Sequence, residues 1–226
     1  MAKSITKSLV VGAGEVGKSL FKVFSPYYPV MIIDKGESLE ETFDIIHICF
    51  PYFDGFVGEV KRYQAKYEPK YTIIHSTVPV GTSRLCGAIH SPIKGIHPHL
   101  EEAIKTFTKF LGGEKASEVA DYFRRAGLKI YITDNPESTE LIKIDSTNWY
   151  GVCIEKTKDT KELCKEHGVP FELFTIWTED YNAGYEKLGH PEYKRPNLVP
   201  IMKETGGHCI KGNAQFLKTK FTKLIQ

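Results

Sequence analysis

The sequence predicts an α/β fold: a doubly wound parallel sheet followed by a smaller all-helical region built on one long helix. Three observations predict it. Up to Thr133, short apolar runs of strand length alternate with stretches of helical periodicity, the pattern of successive β/α units. A glycine-rich turn, Gly12-Ala13-Gly14-Glu15-Val16-Gly17, directly follows the first apolar run, Leu9-Val10-Val11. From Pro136 to His167 only Gly151 interrupts a continuous helical stretch, and Gly168-Val169-Pro170 supplies the stop. The regions divide at Asp134-Asn135-Pro136, giving a domain of residues 1–133 and a second of residues 134–226.

The turn carries the clearest chemistry. In a G-x-G-x-x-G frame behind a strand, Gly12 allows the sharp bend and Gly14 lets the backbone approach a pyrophosphate. Gly17 lets the helix pack close to the strand. The helix presents its N-terminal N–H groups, those of Glu15 and Val16 included, and its positive dipole end to the phosphates. Asp34 follows Gly14 by 20 residues at the end of the next strand, where a carboxylate accepts hydrogen bonds from a ribose 2′-OH. It would repel a 2′-phosphate, so NAD is expected over NADP, with neighbouring Lys35 weakening the preference slightly. This is the Rossmann arrangement.

The run Asp44–Phe50 reads as a buried parallel strand ending at Pro51, in a loop at the carboxyl edge beside the cofactor. Phe53–Tyr67 is helical by periodicity, and Tyr71–His75 is another strand. Ser76-Thr77-Val78-Pro79-Val80-Gly81-Thr82 follows it; the two leading hydroxyls either contact cofactor or substrate or cap the next helix. Gly95–His99 is a short strand or its exit, with His97 and His99 on one face. Two histidines do not make a metal site, and none is predicted. Phe107–Leu111 and Leu128–Ile132 complete the strands, with a helix from about Glu114 to Ala126 between them. After the long helix, Phe171–Leu188 is a second helix whose aromatics suit a core or a dimer interface. Asn213–Leu224 is a candidate terminal helix.

Bulk properties narrow the function class. Lys+Arg of 30 against Asp+Glu of 28 leaves +2, so no bulk charge points to nucleic acid or an anionic membrane. Five cysteines without a C-x-x-C pair argue against a disulfide framework or zinc ribbon and for a reducing cytoplasm. No apolar run approaches the roughly 20 residues that span a bilayer. A cytoplasmic protein with a small-molecule substrate is expected, homodimeric through the long helix.

Together these stretches resemble the UDP-glucose/UDP-N-acetylmannosamine/GDP-mannose dehydrogenase family. The matches are the Gly12–Gly17 turn, Ser76–Thr82, Ser138-Thr139-Glu140-Leu141-Ile142-Lys143, Leu163-Cys164 and Gly206-Gly207-His208-Cys209, in the family's order. They cover its cofactor-binding and central helical domains but not its second Rossmann-like domain. The resemblance implies a two-step, four-electron oxidation of a sugar alcohol to a carboxylate with NAD. Cys209 would be the nucleophile, Lys143 would stabilise the developing oxyanion, and Thr77 would contact substrate or cofactor. A free thiol of pKa about 8.5 needs a nearby cation to ionise at neutral pH, which Lys143 would supply.

This chain departs from the pattern. The family's asparagine one turn after the lysine falls on Thr147, and Asn148, the candidate here, is one residue later. That places it about 140° from Lys143 around a regular helix rather than about 40°. The family's Asn-Glu pair is Lys158-Asp159, and the aspartate four residues after the cysteine is Asn213. Three functions stay open: a nucleotide-sugar or sugar-alcohol dehydrogenase using Cys209 and Lys143, a two-electron hydroxyacid-type dehydrogenase using Lys143 alone, and a non-catalytic NAD-binding or interaction protein.

Overall fold

A computed structural model describes residues 6–200 and 207–225, the side chains of 207–209 and 211 excepted. In chain order the elements are β1 (Ser8–Val11), α1 (Glu15–Phe24), β2 (Val30–Ile33), β3 (Ile45–Ile48), α2 (Phe56–Tyr67), β4 (Tyr71–Ile74), α3 (Thr82–Leu85), β5 (Ile89–His90), α4 (Leu100–Thr106), β6 (Lys109–Gly112), α5 (Ala116–Arg125), β7 (Ile130–Thr133), α6 (Pro136–His167), α7 (Glu172–Lys187) and α8 (Gly207–Ala214). Two compact units result, Met1–Lys143 and Ile144–Gln226.

The first unit is a seven-stranded sheet of order β2-β1-β3-β4-β5-β6-β7. Every residue of β1 and β3 is buried, as a parallel sheet covered on both faces requires. One face packs α1 and α5 through Leu20, Val23, Phe24, Val119 and Phe123; the other packs α2 through Phe56, Val60, Tyr63 and Tyr67. The sheet is not wholly parallel: β5 and β6 run antiparallel and meet at His90 and Gly112.

Of the two readings of Gly95–His99, the strand is corrected and the exit holds. The strand lies earlier, at Ile89–His90, and the later residues turn into α4. Gly95 takes φ +139°, and a Cβ there would come within 2.4 Å of Ala103 Cβ, so the backbone bends tightly against α4 instead of extending. The following strand begins at Lys109, two residues after the expected Phe107, which closes α4.

The sheet unit also owns the start of α6. Asn135 Oδ1 accepts from the Ser138 N–H (2.9 Å) and Pro136 holds the first helical position, a capped entry. Thr139 packs so closely that a Cβ on Gly112 would lie 2.6 Å from its Oγ1. Glu140 is fully buried, and its carboxylate accepts from the N–H groups of Gly81 (2.6 Å) and Ser83 (2.8 Å).

In the second unit, Ile154, Ile210, Ala214 and Ile225 form a small core with Val152 and Leu198. None of the residues of α7 is buried, so its aromatics are not core within this unit. Phe174 and Trp177 lie in the open, and a cavity of about 790 Å³ borders Trp149, Val152, Phe174 and Leu198. The expected terminal helix Asn213–Leu224 is instead the end of α8 and a 3-10 turn at Thr222–Leu224. Reciprocal bonds between Thr219 and Thr222 explain the break: each hydroxyl accepts from the other's N–H, competing with the helical ladder.

The centre of the sheet is unusually polar. Ser8 Oγ, Tyr122 Oη, His47, His75 and the Ser91 carbonyl form a buried chain with steps of 3.0, 3.2, 2.9 and 2.7 Å. Because His75 Nδ1 must donate to the Ser91 carbonyl, its Nε2 accepts from His47 Nδ1–H, and His47 Nε2 accepts from the Tyr122 hydroxyl. Each step is satisfied with both imidazoles neutral. Lys109 Nζ donates to the carbonyls of Ser91 (2.6 Å) and Pro92 (2.8 Å) and lies 3.3 Å from His75 Nδ1, whose N–H the lone pair of an uncharged amine can share. Burial holds His47 and His90 down at about 3 and puts His75 well below its ordinary value. Burial also lowers Lys109 well below the usual ammonium range.

These neutral histidines set an acid limit on stability. The unfolded chain binds protons below about pH 6.5 that the native imidazoles refuse, so their contribution is complete above that pH and is lost as pH falls toward 3. At about 1.4 kcal/mol per group per pK unit, three such groups remove about 4 kcal/mol between pH 7.5 and 5.5. Urea denaturation at the two pH values checks this; equal midpoints would contradict it.

Candidate functional site

At the carboxyl edge of the sheet, β2 and β3 flank β1 on opposite sides in parallel register, so the chain reverses direction across the sheet at β1. Open α/β sheets bind ligands at such a switch point. The Gly12 N–H donates to the Ile33 carbonyl (2.8 Å) and the Cys49 N–H to the Val11 carbonyl (2.9 Å), which ties the three strand exits together.

The three glycines of the turn have different surroundings. Gly12 takes φ +105°, and a Cβ there would sit 3.0 Å from the Phe50 N. A Cβ on Gly17 would fall 1.9 Å from the Gly12 carbonyl oxygen, so only glycine lets α1 rest against the turn. Gly14 meets nothing within 4 Å. It is the N-cap of α1, without a side-chain cap, and its carbonyl accepts from Lys18. The N–H groups of Glu15, Val16 and Gly17 begin the helix without intrahelical acceptors. Open space beside uncapped amides and a helix dipole is a cradle for an anion. A dinucleotide pyrophosphate fits it.

The other expected cofactor residues lie at the exits of β2, β3 and β4. Asp34 is exposed just beyond β2, its Oδ1 accepting from the Lys35 N–H (2.9 Å). Sequence reasoning missed Glu37, whose Oε2 accepts from the Asp34 N–H (2.7 Å) and adds a second carboxylate at this corner. Its signal was the acid three residues on, across the Lys35-Gly36 turn. Exposed Pro51 leaves β3. Ser76 Oγ donates to the Phe50 carbonyl (2.6 Å), joining the β3 and β4 exits, while Thr77 beside it is half-buried. Neither caps α3, whose N-cap is Gly81.

His97 and His99, expected on one strand face, turn to different carboxylates. His97 Nδ1 contacts Glu15 Oε2, and His99 lies 3.7 Å from Glu102. Among the described residues, no group of three or more His, Cys, Asp or Glu could hold a metal ion.

The expected catalytic residues divide between the units. Thr77 and half-buried Lys143 belong to the first. Asn148, in the second, is 5% exposed, and neither of its amide atoms has a hydrogen-bond partner among the described residues. The helix that carries both is α-helical throughout, with no irregularity to offset the extra residue between them. Cys209 falls on α8, and its side chain lies outside the described residues. Cys49 is no substitute: burial raises its thiol far above the ordinary range.

No protein-family model and no curated protein sequence matches the chain. Solved structures do. A UDP-D-ManNAc dehydrogenase from Pyrococcus horikoshii superposes with a TM-score of 0.74 at 17% identity, over 97% of this chain and 67% of that one. A UDP-glucose dehydrogenase from Pyrobaculum islandicum gives 0.71 at 15% identity, over 99% and 68%. A 3-hydroxyisobutyrate dehydrogenase from Mycobacterium tuberculosis gives 0.70 at 12%, over 97% and 90%. The fold is that of the Rossmann-type dehydrogenases. Identities this low carry the fold alone, and the chain spans about two thirds of the two nucleotide-sugar dehydrogenases.

The glycine environments make a paired prediction. Gly17→Ala collides with backbone and should cost about 1–3 kcal/mol or more, as overpacking does. Gly14→Ala should leave stability within about 1 kcal/mol yet weaken NAD at least about tenfold by filling the cradle. Thermal unfolding with calorimetry separates the two effects; unchanged NAD affinity in Gly14→Ala would place the ligand elsewhere.

Proposed function

We propose that this chain is an NAD-dependent oxidoreductase acting on an alcohol group of a small sugar or hydroxyacid. The observation that carries the reading is the open face of Gly14 beside the uncapped amides of α1, at the switch point of the sheet. The glycine turn would hold the pyrophosphate, and Asp34 with Glu37 the adenosine ribose. Two carboxylates at that corner support NAD over NADP, since a 2′-phosphate would be repelled. When bound, the nicotinamide supplies a hydride acceptor for the alcohol carbon.

Substrate chemistry falls to residues beyond the turn. Thr77, at the β4 exit, would orient the substrate or the nicotinamide. Lys143 would stabilise negative charge as the hydroxyl loses its proton, a role typically worth a few kcal/mol of barrier. The orphaned amide of Asn148 supports a polar ligand within its own unit, because a buried unpartnered amide is costly. Cys209 would add the thiol step of a four-electron oxidation. The exposed Phe174, Ile176 and Trp177 of α7 and the apolar cavity beside them support a homodimer built on the helical unit. Four free cysteines among the described residues fit a cytoplasmic setting. No helix among them is long and apolar enough to cross a membrane.

One observation favours a second reading. The asparagine displaced from its family position on an uninterrupted helix fits a nucleotide-binding protein that no longer turns over substrate.

NADH formation across a panel of UDP-sugars and 3-hydroxyacids tests both. Turnover with NAD is expected, falling about a hundredfold or more in Lys143→Ala. Two NADH per substrate, abolished by Cys209→Ser, marks the four-electron route, and one NADH insensitive to that change marks the two-electron route. NAD binding without turnover on any substrate would favour the non-catalytic reading.

A further inference from the structure

The helical unit holds a cavity that neither Thr77, Lys143 nor Asn148 lines. Phe174, Thr175 and Thr178 of α7, spaced as one helix face, border it with Phe171 at the helix N-cap. Leu173, Ile176 and Trp177 are exposed outside the lining and form the outward face to which the dimer reading applies. Trp149 and Val152 of α6 form a second wall, and Phe221 and Leu224 of the C-terminal segment a third. At about 790 Å³ the space lies within the range of about 300–1,000 Å³ typical of small-molecule sites. Trp149, Phe221 and Leu224 are each more than half exposed, so an apolar body seated among them gains by displacing water.

The charges around the cavity do not balance. Its two lining acids, Asp159 and Glu155, already face lysines of their own helix, Lys156 at 3.4 Å and Lys158 at 3.2 Å. Arg195 also lines it, and among the described residues no carboxylate pairs with it. Its guanidinium lies 3.5 Å from the Tyr181 ring centre and donates to the Tyr181 hydroxyl (2.7 Å), which holds the planar fork in place with donors to spare. Lys220 Nζ stands 4.9 Å from the Phe221 ring centre. Lys218, Lys220 and Lys223 are exposed on a stretch, residues 207–226, that contains no acid.

We propose that this cavity binds an amphipathic organic anion, its aliphatic or aromatic body among Trp149, Phe174, Phe221 and Leu224 and its carboxylate or phosphate head on Arg195. A guanidinium matches either head group through paired N–H donors, and the lysines of the C-terminal segment add attraction at longer range. A neutral apolar molecule would use the walls but not Arg195. Every residue involved lies in the second unit, so the inference is independent of the dinucleotide reading.

Tryptophan fluorescence of the full chain tests the proposal. The sequence has two tryptophans, and Trp177→Phe leaves Trp149, on the cavity wall, as the one reporter. Titrated below their micelle concentrations, dodecanoate and dodecyl phosphate should shift its emission saturably and bind at least about tenfold tighter than dodecanol. The tighter of the two acids identifies the head group. Arg195→Gln should weaken both acids at least about tenfold and leave dodecanol unchanged. Thr178→Phe, on the cavity face of α7, should weaken all three by filling the space. Equal melting temperatures would establish that the variants fold. No response to either acid, equal binding of acid and alcohol, or acid binding that survives Arg195→Gln would overturn the proposal. Emission that follows protein concentration instead of ligand would also overturn it, because a second copy would then fill the cavity. So would retention on phosphatidylserine vesicles without response to the free acids, which would make the cations a membrane contact.

Discussion

The contact between Gly17 and the Gly12 carbonyl governs the geometry of the sheet unit. With no side chain at either position, the first turn of α1 rests directly on the backbone leaving β1. That close approach fixes where the helix begins, and so where its free amides point. It also brings Gly12 against the exit of β3, so the β1–β3 crevice and the helix N-terminus become one surface. Gly14 is the residue at this bend with empty space around it. A binding surface of main-chain amides needs that combination: two positions closed by packing and one left open.

The rest of the edge is held by polar ties that reach deep into the sheet. Ser76 joins the β3 and β4 exits, His90 reaches the Ser76 carbonyl and Thr139, and Lys109 holds the carbonyls at the start of the 91–99 segment. In a low-dielectric interior such groups are tolerated because each finds a partner while uncharged. This gives the edge a defined shape at the cost of sensitivity to acid. Glu140 extends the same logic to α6. Its carboxylate on the Gly81 and Ser83 amides explains why Ser76–Thr82 and Ser138–Lys143, distant in sequence, occur together.

Much of this was legible in the sequence. The glycine spacing, the runs Leu9–Val11 and Asp44–Phe50, and the length of α6 follow from periodicity and backbone sterics, which are local properties. Less legible was what depends on partners far along the chain. A two-residue strand such as β5 has no periodicity to read, and the Gly95–His99 run resembles a strand until α4 packs against it. The roles of Glu37, Glu140 and His97 depend on which amide or carboxylate lies opposite, and spacing alone does not encode that. The aromatics of α7 fit a core by composition, yet none of them is buried: Arg195 stacks on Tyr181 and Tyr193 packs against Tyr185, while Phe174 and Trp177 stay exposed.

The account stands on the amides of the β1–α1 turn receiving a dinucleotide. Site-resolved amide hydrogen exchange of the full chain, with and without NAD, measures this directly. Slowed exchange at Glu15, Val16 and Gly17 on adding NAD, with the amides of α7 unchanged, is the predicted result. Exchange at the turn that is identical with and without NAD would contradict it.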